Sequence, residues 1–273
     1  MLAARKLDRI ASEVWSAHTA VRQIAPFSQR IAAFDLPSAY AVAQRIHHRR
    51  LAGGAVPVGR KIGFTNADMW HIYGVRHPIW AYVYDQTVVS LASGDGACPI
   101  GRFAEPKIEP EIVFHFRTTP PAGSDLNALL ASIDWAAHAF EIVQSHFPGW
   151  SFQAADTVAD SALHGTLLIG PPVPIDQFGE DPLTALAHFS VTLACDGAVC
   201  EVGTGANVLG SPLRALAHLT EVLASQPDAL PLQPGELVTT GTLTRAYPLT
   251  PGQTWTTEVH GIPLPGLSVH LEP

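Results

Sequence analysis

Apolar positions divide the chain into two textures. Near the N-terminus Leu7, Ile10, Ala11, Val14 and Trp15 recur at helical spacing, interrupted by Arg5, Lys6, Asp8, Arg9 and Glu13. This predicts an amphipathic helix of the fold and not a secretory leader. A second helix is predicted to begin near Ser38 and to carry Tyr40, Val42, Ala43, Gln44 and Ile46. It ends in His47-His48-Arg49-Arg50 before Gly53-Gly54, since cations suit a helix C-terminus and glycine suits its stop. Residues 1–55 therefore read as helical. From about residue 57 short apolar runs alternate with glycine and proline, as in Val56-Pro57-Val58-Gly59, Lys61-Ile62-Gly63-Phe64 and Tyr82-Val83-Tyr84. Such runs predict short strands with frequent turns, hence a sheet-rich body. Ser190 to Glu201 reads as a hairpin turning on Asp196-Gly197, with Cys195 opposite Ala198 and Cys200 opposite Leu193. One helix interrupts the strands. Ser211 is its N-cap, Pro212 its first residue, Leu216, Leu219, Thr220 and Leu223 its inward stripe, and Pro227 its end. A boundary is expected near Ser93-Gly94-Asp95-Gly96, separating residues 1–95, a helical part with the first strands, from a sheet body over 96–273.

Three glutamates break the apolar pattern. Glu109 and Glu111 lie in Lys107-Ile108-Glu109-Pro110-Glu111-Ile112-Val113-Phe114, and Glu141 lies in Ala139-Phe140-Glu141-Ile142-Val143. In a strand, Glu109 and Glu111 point to one face while Ile108, Ile112 and Phe114 point to the other. Two neighbouring carboxylates on a dry face repel each other, and burying each costs several kcal/mol. A hard divalent cation, Mg²⁺ or Mn²⁺, compensates most simply, with Glu141 as third ligand. The alternative is a solvated edge strand, which Pro110 suits.

Composition narrows the partners. The 273 residues are 47% hydrophobic and 15% charged, enough for a large core and too apolar for disorder. A net charge of −8 argues against nucleic acid or an anionic membrane as partner. No apolar run reaches the roughly 18 residues of a membrane span. Cys98, Cys195 and Cys200 are an odd set without metal-ligand spacing, and read as reduced thiols of a cytoplasmic protein.

Other segments carry candidate chemistry. Lys61 sits in an apolar strand between Gly59 and Gly63, where an ammonium needs an anion. It could serve a substrate carboxylate or an enolate, or it could snorkel to the surface. The polar stretch Ala155 to Gly165 offers Asp160, Ser161 and His164, as turn formers or as groups that bind substrate and carry protons. Thr239-Thr240-Gly241-Thr242-Leu243-Thr244 reads as a β-turn able to offer hydroxyl and N–H donors. Gly203-Thr204-Gly205-Ala206-Asn207-Val208-Leu209-Gly210 leaves a hairpin, not the first strand of a βαβ unit, which excludes a dinucleotide site.

Taken in order, Arg60 to Thr65, Lys107 to Ile112, Phe140 to Val143, Asp156 to Asp160, Thr240 to Thr244 and Gly261-Ile262-Pro263-Leu264-Pro265-Gly266-Leu267 resemble the fumarylacetoacetate hydrolase superfamily. Within it they resemble the 2-keto-4-pentenoate hydratase and 4-oxalocrotonate decarboxylase branch. The resemblance implies an α+β fold, a twisted mixed β-roll with a helical N-terminal part. It implies Mg²⁺ or Mn²⁺ on Glu109, Glu111 and Glu141, with Lys61 beside a small 2-oxo or 2-hydroxydienoic acid. It also implies a homo-oligomer and a role in aromatic-compound breakdown. The expected reaction is hydration of a 2-hydroxy-2,4-dienoate. The alternatives are decarboxylation of a 4-oxalocrotonate-type acid, or capture of a 2-oxo acid without turnover. Asp85, Asp160 and His164 are the expected general-base candidates. Ser161, Thr240 and Thr242 join Lys61 as expected substrate contacts. The chain departs from the family pattern at Ser161, where asparagine is common, and at His164, where serine is usual. It also has no match for the His-Glu lid pair of the hydrolases.

Overall fold

The computed structural model describes residues 2–66, 70, 77–123, 125–226 and 229–273. The first helix, Ala4–Ala20, buries the stripe Leu7, Ile10, Ala11, Val14 and Ala17. The helix Leu36–Ala52 starts two residues before the expected Ser38, because the Asp35 carboxylate caps it by accepting from the Ser38 amide. Together these helices pack with Ile79 and Ala81 and with the helix Ala154–Ala159.

The strands are β1 (Pro57–Gly63), β2 (Ile79–Tyr84), β3 (Val88–Ser90), β4 (Asp95–Pro99), β5 (Lys107–Phe116), β6 (Ile133–Val143) and β7 (His164–Ile169). They continue as β8 (Val173–Pro174), β9 (Ser190–Cys195), β10 (Ala198–Thr204), β11 (Leu237–Thr239), β12 (Tyr247–Pro248), β13 (Thr254–His260) and β14 (Ser268–Glu272). A large mixed sheet runs β2-β1-β11-β5-β6-β7-β3, with β12 on β5 and β8 on β6; a smaller one runs β10-β9-β13-β14-β4. The chain changes sheets at residue 95. β1, β2 and β3 before it share the large sheet with β5, β6 and β7, while β4 joins the small one. The result is the expected α+β architecture around a curled mixed sheet.

Strand alternation sets the two faces of β5. Ile108 packs against the small sheet with Phe140 and Ile142. Ile112 and Phe114 pack with Leu216 and Leu219 of the helix Pro212–Ser225, which Ser211 caps through the Arg214 amide. Each such side chain, fully buried, contributes about 1.5–3 kcal/mol. This is the anchoring that lets the opposite face carry charge. That face begins with Val113, which packs with Val83, Ala137, Ala139, Leu167 and Leu237, and continues through Glu111 and Glu109. Pro227, expected to close the helix, lies outside the described residues.

The β9–β10 turn is the predicted two-residue one, with Asp196 at φ 50° and Gly197 at φ 81°. Cys195 faces Ala198 as expected, but Leu193 faces Glu201 and not Cys200, because a bulge between Val199 and Glu201 adds one residue to β10. All three cysteines are free thiols. Among the described residues no helix is long and apolar enough to cross a membrane.

Candidate metal and substrate site

The register of β5 against β6 brings the glutamates together. Glu109 stands directly opposite Glu141, and Glu111 opposite Ala139. Like charges opposed across an antiparallel ladder destabilise it. Oxygens of Glu109, Glu111 and Glu141 nevertheless lie within 4.8 Å of one another, with Glu111 and Glu141 buried. Lys61 approaches from β1, two strands away. Strand β11, which separates β1 from β5, ends at Thr239, opposite Lys61 on one side and Val113 on the other. Beyond it the sheet opens, and the lysine reaches across so that Nζ lies 2.9 Å from Glu141 Oε2.

Each carboxylate has a distinct setting. Glu111 Oε2 accepts from the Thr239 hydroxyl and, at 2.9 Å, from the Gly241 amide. Gly241 has φ 101°, and a Cβ there would collide with Thr65, so glycine is required where the turn closes on the carboxylate. Glu111 Oε1 is buried without a hydrogen-bond partner. Glu141 Oε1 is 2.6 Å from His164 Nδ1, whose Nε2 is 2.8 Å from the Thr87 hydroxyl.

The electrostatics split the trio. Burial, reinforced by Glu141, pushes the Glu109 pKa up to about 7 against the pull of Lys61. Burial, with Glu141 and Glu109, raises Glu111 well above the usual range. Burial also acts to raise Glu141, but Lys61 and His164 overcome it and hold this group at about 2. Burial works to lower the Lys61 pKa, yet Glu141, Glu109 and Glu111 leave it raised. Burial outweighs Glu141 at His164 and lowers its pKa. A neutral His164 facing an ionised carboxylate must carry its proton on Nδ1.

Four further expected residues are placed differently from one another. Thr242 lines the cavity above the carboxylates, its hydroxyl donating to Thr244 O at 2.9 Å. Thr240 is buried, with its hydroxyl donating to Ile112 O at 3.0 Å, so it braces the turn. Ser161 borders a second, aromatic cavity beside Tyr40 and Trp80. His164 is committed through both ring nitrogens and positions Glu141. Two of the general-base candidates have other partners. Asp85 is exposed in the turn after β2, where Oδ1 accepts from the Val56 amide at 2.9 Å. Asp160 is buried between His18 Nε2 at 2.7 Å and His146 Nδ1 at 3.0 Å. Burial acts to raise the Asp160 pKa, but these histidines hold it at about 2. Sequence reading missed Thr239 as the partner of Glu111 and Thr87 as the support of His164. Nothing in local sequence reports contacts separated by so many residues.

The cavity measures about 830 Å³. Its floor holds Lys61 and Glu109, and Phe64, Ile79, Trp150 and Phe152 contribute apolar wall. Apolar walls around a few convergent polar groups are the usual form of a small-molecule site.

A curled mixed sheet flanked by helices, with three carboxylates and a lysine converging on one face, defines the class of fumarylacetoacetase C-terminal-like folds. The chain belongs to the fumarylacetoacetate (FAA) hydrolase family, whose C-terminal model matches residues 76–265. Its relatives fall in the hydratase and decarboxylase branch. It is 32% identical over 256 residues to 2-keto-4-pentenoate hydratase of Burkholderia vietnamiensis (strain G4 / LMG 22486), covering 93% of each chain. It is 29% identical to 4-oxalocrotonate decarboxylase of a Pseudomonas species, over 78% of each. Among solved structures, 4-oxalocrotonate decarboxylase from Pseudomonas putida G7, complexed with magnesium and adipate, superposes with a TM-score of 0.89 at 27% identity, over 99% of both chains.

Proposed function

We propose that this protein is a divalent-metal-dependent lyase that hydrates a 2-hydroxy-2,4-dienoate to a 4-hydroxy-2-oxo acid. The observation that carries the reading is the clustered trio Glu109, Glu111 and Glu141, the last two buried, with Glu111 Oε1 orphaned among carboxylates. An all-oxygen donor set fits Mg²⁺ or Mn²⁺. When bound there, such a cation supplies a Lewis acid for the 2-oxo group and carboxylate of the substrate.

The chain's own residues do the rest. Lys61 lines the cavity with one side of its ammonium on Glu141. Its remaining donors would serve the substrate's C2 oxygen, which carries negative charge in the dienolate before the far carbon is protonated and again as water adds at C4. Phe64, Ile79 and Phe152 enclose the unsaturated chain and exclude water from its length. His164 and Lys61 together keep Glu141 ionised over the whole neutral range.

Ultraviolet absorbance tests the reading: the dienoate's band should disappear on adding protein and Mg²⁺. A persistent band would overturn the hydratase reading and leave decarboxylation or capture without turnover. Decarboxylation is the second reading, favoured by the TM-score of 0.89 to a 4-oxalocrotonate decarboxylase. Release of carbon dioxide from 2-oxohex-3-enedioate distinguishes it.

The carboxylate trio also predicts a pH-dependent metal effect. The Glu109 pKa is raised in the folded protein to about 7, above its ordinary value. A raised carboxylate supports folding below its unfolded pKa, and that support fades as pH rises through the folded value. A cation that displaces the proton gains affinity over the same interval. The rise in melting temperature given by Mg²⁺ should therefore grow between about pH 5 and pH 8. At 100 times Kd the gain is about 2.7 kcal/mol. For a chain of this size each kcal/mol is worth roughly 2–4 °C. A Mg²⁺ shift independent of pH would remove the carboxylates from the metal site.

A further inference from the structure

We infer that His18, His146 and Asp160 form a second cation site, which takes a borderline divalent metal of the zinc class and ties the N-terminal helix to a segment that walls the cavity. This site shares no residue with the glutamate trio. Ligand atoms of the three side chains lie within 4.8 Å of one another. Both imidazoles converge on one carboxylate oxygen: His18 Nε2 is 2.7 Å and His146 Nδ1 3.0 Å from Asp160 Oδ1. Two ligands of a tetrahedral ion with bonds of about 2.0–2.1 Å stand roughly 3.3 Å apart. Small side-chain movements therefore separate the hydrogen-bonded arrangement from a metal-bound one.

The fold delivers each ligand from a different element. His18 is in the last turn of the helix Ala4–Ala20, and the chain leaving that helix is pinned where the Ile24 amide donates to His146 O at 2.7 Å. His146 follows β6, and Asp160 ends the helix Ala154–Ala159. That helix is itself anchored through Asp156, which accepts from the amide and hydroxyl of Ser28. The side chains of His146 and Asp160 are each 1% exposed, while His18, at 14%, gives a cation its way in from solvent. Two imidazoles and a carboxylate suit zinc, whereas the all-oxygen glutamate trio suits magnesium, so the two sites differ in the ion they prefer. Burial lowers the His18 pKa against the pull of Asp160, and neutral imidazole is the form that binds a metal. Hydrogen bonding alone leaves His146 Nε2 buried without a partner among the described residues, a cost that a metal–nitrogen bond at Nδ1 offsets. Directly after Asp160, the residues Ser161, Ala162 and Leu163 have φ of 55°, 50° and 65°, and the last two line the cavity. Such a left-handed run of non-glycine residues persists only when its surroundings hold it. A cation on Asp160 adds to that hold.

Calorimetric titration of Zn²⁺ into protein saturated with Mg²⁺ tests the inference. A single zinc site is expected. His18→Gln is the informative variant, because the glutamine amide keeps a donor for Asp160 while removing the nitrogen ligand. Even an outer partner of a metal ligand is worth about 10–100-fold in affinity, so His18→Gln is expected to weaken zinc binding roughly hundredfold. Crystals of the unaltered protein soaked in Zn²⁺ give a second reading that needs no variant. An anomalous difference peak at the zinc edge is expected between His18, His146 and Asp160. No zinc uptake in the presence of Mg²⁺ would reduce the trio to a hydrogen-bonded brace and overturn the inference. Zinc affinity unchanged in His18→Gln, or a peak at Glu109, Glu111 and Glu141 alone, would overturn it equally.

Discussion

Glu109→Gln and Glu111→Gln are expected to abolish Mg²⁺-dependent turnover and, in the same proteins, to raise the melting temperature without metal. The two effects have one origin. Burial has already pushed both carboxyl groups up, Glu109 to about 7 and Glu111 well above its ordinary value. Their ionised forms therefore oppose folding at neutral pH, and a neutral amide relieves that cost, on the order of 1–3 kcal/mol. The amide is a far poorer partner for a hard dication, and loss of the Lewis acid removes several kcal/mol of transition-state stabilisation, about 10³-fold or more in rate. Glu141→Gln should differ in one respect only. It also abolishes turnover, but it lowers the melting temperature, because Lys61 then stays buried without its 2.9 Å partner. Breaking a buried pair from one side costs about 3–5 kcal/mol. Steady-state assays in Mg²⁺ and thermal unfolding in chelator read both halves. Full activity in all three variants would remove the metal assignment. A fall in melting temperature for Glu109→Gln or Glu111→Gln would show that these carboxylates act as structural acceptors.

The parts of this site that were legible are those set by local geometry. Alternation along β5 put Glu109 and Glu111 on one face before any partner was known, whereas Lys61 in an apolar strand left open an anion partner or a route to the surface. The Ser211 cap and the Asp196-Gly197 turn were likewise written in a few consecutive residues. What stayed hidden depends on pairing across long separations. That Glu109 faces Glu141 is fixed by the register of two ten- and eleven-residue strands, which a shift of one residue would reverse. Asp160 shows the limit from the other side. Its neighbours Ser161 and His164 pointed to a polar loop at the substrate. The carboxylate turns instead to His18, on a helix 142 residues away in sequence. The bulge at Cys200 is a similar case, since an extra residue in a strand leaves no mark on its apolar pattern.

Lys61→Met is expected to lower kcat by about 10²–10³-fold with a much smaller change in the Michaelis constant. Methionine keeps most of the side-chain volume on β1 and removes only the charge. Lys61 is 3% exposed, so the charge removed is one held out of bulk water. A preorganised donor in such a setting is worth about 2.7–4 kcal/mol when charge develops on the substrate, and little before that. A loss confined to kcat is the signature of an interaction made in the transition state. The variant also strips Glu141 of its strongest counter-charge, leaving His164 at 2.6 Å as its remaining partner. The Glu141 pKa should rise from about 2, and stability should fall, as for any buried pair broken on one side. The double variant Lys61→Met/Glu141→Gln separates the two roles. It removes both charges at once, so it should recover much of the stability lost in either single variant while remaining inactive. Recovery of turnover along with stability would mean that Lys61 serves only as the counter-ion of Glu141. An unchanged kcat in Lys61→Met would remove the lysine from the chemistry altogether.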